Sequence, residues 1–162
     1  IALIETDESL RRQLADLIVG TYEEEVDYDD LQWKTIDRSR YAYMGDVTVE
    51  DYPETQTGKK KVRFREVWFD HNASDDEVLQ LAKQIKCRQP SRAESETVIR
   101  RRYTKEQLAK NPRIGLIGPA VRRDGGLRRA CVNGFDGGVR LGWDWAGRQW
   151  GRSCRFILVC ED

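Results

Sequence analysis

Residues 140–160 read RLGWDWAGRQWGRSCRFILVC. Trp143, Trp145 and Trp150, three of the chain's five tryptophans, fall within eight residues, and Arg140, Arg148, Arg152 and Arg155 flank them. Two readings compete. With a period of two, Leu141, Trp143 and Trp145 share one face of a strand, AGRQ (146–149) turns the chain, and Trp150, Cys154, Phe156, Leu158 and Cys160 share one face of the next strand. The rings are then the inward face of a terminal hairpin. On the other reading the arginines set planar cations beside exposed rings, and the stretch is a platform that binds something.

Upstream, Gly115, Gly118, the DGG at 124–126 and the FDGG at 135–138 punctuate short runs, so the last third of the chain reads as all-β. TVIRRRY (97–103) reads as a strand. Thr104 to Gln107 caps a short helix that Asn111-Pro112 ends. The plainest local signal is Ser74-Asp75-Asp76-Glu77, a capping box in which the Ser and Glu side chains satisfy each other's orphan backbone donors. Val78, Leu81, Ala82 and Ile85 follow at helical spacing, which predicts a helix over 75–87 and a loop over 87–95. Tyr41, Tyr43, Val47 and Val49 on odd positions, and Val62, Phe64 and Trp68 on even ones, read as two strands joined by a long hairpin loop, DYPETQTGKK (51–60). TYEEEVDYDD (21–30) reads as a solvated acidic surface. Leu10, Leu14, Leu17 and Ile18, behind Asp7 as a cap and before Gly20 as a stop, predict a helix over 7–19. The first 19 residues, IALIETDESLRRQLADLIV, look like the opening of a response-regulator receiver domain. The resemblance ends there, because no later Asp-bearing strand end, Thr/Ser strand or Lys strand follows in order, and the stretch is read as a generic strand–helix start.

The expected fold is therefore α+β: an antiparallel sheet packed by two main helices, 7–19 and 75–87, with a β-rich C-terminal third ending in a hairpin. A length of 162 residues suits a single domain, 1–162, with 113–162 as a candidate β-rich subdomain. Hydrophobic content of 39% with 35% charged residues is the composition of a globular chain. No apolar run approaches the ~18 residues of a membrane span, and no signal-peptide pattern is present. Four cysteines, Cys87, Cys131, Cys154 and Cys160, are sparse for a disulfide-dependent fold and make no CxxC pair, so free buried thiols and a cytoplasmic setting are expected. Cys154 and Cys160 lie about 20 Å apart on a continuous strand at ~3.3 Å per residue. They cannot bridge each other, and Cys131 facing one of them across a sheet is the pair to watch.

Net charge is zero but unevenly placed: residues 1–80 hold 10 basic and 20 acidic side chains, and residues 81–162 hold 18 and 8. That asymmetry points to contact with a polyanion, to self-complementary assembly, or to two halves that neutralise each other within one fold. Among 20 arginines, GPAVRRDGGLRR (118–129) combines a flexible turn with Arg122, Arg123, Arg128 and Arg129, and arginine grips phosphate in bidentate fashion. With Arg140, Arg148, Trp143 and Trp145 these make the candidate nucleic-acid or anion-binding set. Arg100, Arg101 and Arg102 add to it, although on a strand the middle one would point away from its neighbours.

His71, in FDHNAS, is the single histidine. It lies beside Asp70, Asn72 and Asp75, where a general base or metal ligand would need further partners that the sequence does not supply. The carboxylates of Asp70, Asp75, Asp76 and Glu77 do not match an EF-hand spacing and are explained by the helix dipole, and no GxxxxGK[ST], GxGxxG or GxSxG occurs. No catalytic residue, metal or cofactor is assigned. The primary functional expectation is a non-enzymatic module that contacts nucleic acid or another polyanion through the basic C-terminal half. The alternative is an assembly protein using charge-complementary contacts with a protein partner or its own copies. The third is an enzyme centred on His71.

Overall fold

In the computed structural model, residues 17–30, 41, 43–44, 47, 50, 53–110, 113–115, 117–118, 120–135, 138–147 and 149–161 are described. Among them are nine strands: β1 (Ile18–Asp27), β2 (Tyr43–Met44), β3 (Lys59–Trp68), β4 (Cys87–Arg88), β5 (Arg113–Gly115), β6 (Val121–Arg123), β7 (Gly126–Phe135), β8 (Gly138–Trp145) and β9 (Cys154–Cys160). Three helices join them: α1 (Asp75–Gln84), α2 (Arg92–Arg102) and α3 (Lys105–Lys110). All nine strands belong to one sheet, ordered β1-β3-β9-β5-β7-β8-β2, with β4 also beside β9 and β6 beside β7. The fold is thus mixed α and β around an open sheet. The sheet is largely antiparallel, but β2 runs parallel to β8 and β5 parallel to β9.

RFILVC decides the centre of this sheet. Phe156, Ile157, Leu158 and Val159 are all buried, which is the signature of a strand covered on both faces. β9 accordingly lies inside the sheet, paired with β3 along one edge and with β5 and then β4 along the other. The expected terminal hairpin does not form: β8 pairs with β7 and β2, and two strands separate it from β9. The period-two face itself is kept, with Trp150, Cys154, Phe156, Leu158 and Cys160 in one cluster, but Ile157 and Val159 are buried on the opposite side, and two-sided burial places the strand inside the sheet instead of in a terminal hairpin.

Alternation across β3 and β9 divides the core into two layers. Val62, Phe64, Ile157 and Val159 face a cluster with Ala93, Val98 and Ile99 of α2 and Leu108 of α3. Val67, Phe69, Phe156 and Leu158 face the opposite cluster with Val78, Leu81 and Ala82 of α1. Helices therefore cover both sides of the sheet.

Other expectations change with this topology. The helix expected at 7–19 lies mostly outside the described residues, and its end, Ile18 and Val19, belongs to β1. The acidic run 21–27 continues that strand, facing the lysine-rich β3 in antiparallel register. β3 pairs with β1 and β9, so the run 41–49, most of it outside the described residues, is not its hairpin partner. The helix expected at 75–87 ends earlier, with Ile85 as C-cap and Lys86 at φ 55, a left-handed stop made without glycine. Residues 97–103 are helical, not extended, apart from the C-cap Tyr103. Here Ser91 and Glu94 form a full capping box, and every residue from Arg92 to Ile99 is buried, so no amphipathic stripe marks the helix. The short helix after Thr104 forms as expected, with Thr104 and Gln107 bonded reciprocally. The β-rich C-terminal third is also present. No described helix is long and apolar enough to cross a membrane.

Candidate nucleic-acid interface

The candidate site is built by β6, β7 and β8. Asp124 and Gly125, both at positive φ (47 and 80), turn β6 into β7, as a two-residue hairpin requires. Arg123 then faces Gly126, Val121 faces Arg128, Arg128 faces Trp145 and Ala130 faces Trp143. Directly opposed residues share a face, so Arg123, Arg128, Trp143 and Trp145 lie on the side of the sheet that carries α2 and α3. The Trp145 ring lies across Gly126, where an added Cβ would come within 2.3 Å of it. The Arg128 guanidinium sits 3.9 Å from the Trp145 ring centroid, and that of Arg123 lies 5.8 Å from Trp143. Asp124 holds Arg128 at 3.6 Å. Trp145 is 43% exposed, whereas Trp143 packs against the core and buries its indole N–H without a hydrogen-bond partner among the described residues.

The remaining predicted residues go elsewhere. Adjacent residues on a strand point to opposite faces. Arg122, Arg129 and Arg140 therefore lie on the α1 side, and the eight residues do not form one surface. Arg129 is committed there: its Nε donates to buried Asp75 at 2.5 Å and its Nη1 to Gln89 at 3.2 Å. Asp75 also accepts the Trp150 indole N–H at 2.6 Å. Arg122 is exposed, Arg140 lies over Gly142, and Arg148 is outside the described residues. Helical geometry aims Arg101 and Arg102 at one carboxylate, Glu24, each at 3.0 Å.

His71 is half exposed at the mouth of α1, its Nδ1 2.9 Å from Asp70 and its Nε2 2.5 Å from Glu77. Those two carboxylates raise its pKa above the ordinary 6.5 by favouring the imidazolium. Both nitrogens are thus engaged in clamping the turn to the first turn of α1. Among the described residues, no group of three His, Cys, Asp or Glu side chains is placed to hold a metal ion.

A second cluster of polar groups surrounds Glu66, a residue that the sequence reading passed over. A cavity of about 440 Å³ is lined by Gly20, Tyr22, Glu66, Arg102, Tyr103, Gln107 and Arg155. Glu66 is buried there; it accepts the hydroxyl of Tyr103 and, at 3.3 Å, that of Tyr22, and Arg155 lies 3.8 Å away. Burial raises its pKa, with Arg155, Tyr22 and Arg102 opposing the rise, and burial likewise raises that of Tyr22. The Arg102 guanidinium covers the Tyr22 ring at 3.8 Å. A signal was present: Glu66 is the single charge in the even-numbered row Val62, Phe64, Glu66, Trp68, and a carboxylate on an inward-facing row is costly unless it is bonded.

Compared with known proteins, the chain matches no family model, no curated protein and no solved structure.

Proposed function

We propose that the chain is a binding module that contacts single-stranded nucleic acid through the β6–β7–β8 face on the α2–α3 side. The observation that carries the proposal is the exposed Trp145 ring with the Arg128 guanidinium stacked 3.9 Å from its centroid, next to the Arg123–Trp143 pair. Arginine supplies the phosphate contact and the indole a surface on which a base stacks regardless of its identity. Arg129, Arg122 and Arg140 belong to the other face and take no part. The contact is accordingly small, a few phosphates and one or two bases.

Fluorescence anisotropy of labelled single- and double-stranded oligonucleotides at about 50 and about 200 mM salt tests this, since release of condensed counterions makes phosphate contacts weaken with salt. The proposal expects single strands to bind more tightly than duplexes and binding to fall several-fold across that range. Absence of binding at low salt rejects it. Light scattering then takes up the assembly reading, which expects oligomers that salt dissolves.

The cavity around Glu66 favours a second reading, a site for a small anionic ligand. Arg102 and Arg155 stand at its wall, and a carboxyl whose pKa is raised is suited to donate a proton or hydrogen bond. Amide chemical-shift changes clustered on Gly20 and Gln107 during titration with small carboxylates and phosphates would support it, and shifts scattered over the surface would not.

A further inference from the structure

β4 and the end of β9 bring two thiols together. Cys87 lies directly opposite Cys160 in antiparallel register, and their sulfurs are 3.7 Å apart. Directly opposed antiparallel residues keep their Cα atoms about 4.5–5.5 Å apart. That lies within the span a disulfide bridges, about 4.4–6.8 Å, so closure requires side-chain rotation and little backbone movement. Both cysteines are free. Their environments differ: Cys87 is buried and Cys160 is partly exposed. The other two thiols are placed differently. Cys131 on β7 is separated from β9 by β5, and Cys154 lies at the far end of β9 from Cys160. With β5 between β7 and β9, Cys131 does not face Cys154 or Cys160 directly across the sheet, the arrangement that the sequence left open.

We propose that Cys87 and Cys160 are a redox modification site, closing to a reversible disulfide by exchange with a small disulfide of the glutathione class. Cys160, the accessible thiol, loses its proton to solvent, and its thiolate attacks one sulfur of the small disulfide. A mixed disulfide forms on Cys160 and one small thiolate leaves. Cys87 then loses its proton and attacks the Cys160 sulfur, expelling the second small thiolate. Two protein thiols are oxidised to one disulfide, one small disulfide is reduced to two thiols, and two hydrogens leave the protein. Burial pushes the Cys87 thiol up to about 12, with the adjacent Cys160 sulfur adding to the rise, and the 3.7 Å separation of the sulfurs makes the second attack intramolecular, so the adduct on Cys160 is transient. The bond ties the segment between α1 and α2 to the end of the central strand and closes a loop spanning 73 positions. Cross-links over loops of this length raise the melting temperature by about 10 °C.

The folded, full chain is incubated with oxidised glutathione, its free thiols are counted, and its peptides are mapped by mass spectrometry. The expected result is loss of two of the four thiols, a linked Cys87–Cys160 peptide, and a melting temperature that rises and returns on addition of dithiothreitol. Cys87→Ser is expected to stop at a glutathione adduct on Cys160, and Cys160→Ser to abolish both adduct and shift. A lasting adduct on Cys160 in the unmutated chain, a linkage through Cys131 or Cys154, or retention of all four thiols would each overturn the proposal.

Discussion

Glu94 has no exposed surface, yet it is ionised by design of its neighbours. Arg88 grips both carboxylate oxygens at 2.7 and 2.8 Å, Tyr28 donates at 2.7 Å, and the Ser91 N–H donates at 2.6 Å. Burial pushes its pKa up, but these donors outweigh it and hold the group below the ordinary 4.5. A carboxylate whose folded pKa is depressed contributes stability that is present above its unfolded value and lost as the pH falls through the folded one. Glu94→Gln is therefore expected to cost about 3 kcal/mol at neutral pH and progressively less below pH 4.5, checked by urea melts across that range. His71 carries the opposite sign. Its raised pKa makes its contribution complete below 6.5 and lost as the pH rises through the folded value, so His71→Gln should lower the melting temperature at pH 6 and leave it unchanged at pH 9. Two tryptophans make a third comparison. Trp150 donates to buried Asp75, while the buried Trp143 N–H has no partner among the described residues. Trp150→Phe is expected to destabilise by about 2 kcal/mol by stripping a donor from a buried carboxylate, whereas Trp143→Phe should change stability by less than about 0.5 kcal/mol, because it removes an unsatisfied group.

At the scale of elements, the sequence was legible wherever a local chemical device sets the structure. The Ser74–Glu77 signal marked the start of α1, although only its serine half forms: Ser74 accepts from the Glu77 N–H while the Glu77 carboxylate turns to His71. Thr104–Gln107, bonded both ways, marked α3. The same device stands at Ser91–Glu94, but TVI, a β-branched run without an apolar stripe, masks it. α2 is buried on its polar side as well: Glu94 is bonded to Tyr28, Gln56 and Arg88, and Glu96 to Tyr41. Polar partners distant in sequence replace the hydrophobic period that would have announced the helix. The hairpin of β6 and β7 was marked by its Asp-Gly turn, but what lies over it was not. Gly126→Ala should displace the Trp145 indole, because the added carbon would stand 2.3 Å from the ring, and Arg128 should lose its stacking partner. A changed emission maximum in the alanine variant, with the sheet's circular dichroism preserved, is the expected readout.

Across the whole molecule, the acidic and basic halves meet inside the fold as well as along their own strands. Lys59 pairs with Asp27, and Lys61 and Arg63 with Glu23, all within the first half. Between halves, Arg101 and Arg102 reach Glu24, Arg155 reaches Glu66, and Arg129 reaches Asp75. Of these, Arg129–Asp75 is the buried pair, and Arg129→Ala is expected to cost about 3–5 kcal/mol by leaving a carboxylate uncompensated, while exposed Arg122→Ala stays within about 0.5 kcal/mol. The candidate site was half legible for the same reason. Residue type picked out Arg123, Arg128, Trp143 and Trp145, which lie on one face, but strand parity, set by bounds and register that the sequence does not show, sends Arg122, Arg129 and Arg140 to the other. The most direct measurement compares the two faces: affinity for a single-stranded oligonucleotide at about 50 mM salt for Arg128→Ala/Trp145→Ala against Arg122→Ala/Arg140→Ala. Stacking on an aromatic ring contributes about 1–3 kcal/mol per base, so the first variant should bind roughly ten- to a hundredfold more weakly and the second within about threefold of the unmutated chain. Equal losses in both variants, or a larger loss in the second, would contradict the assignment of the site to the Trp145 face.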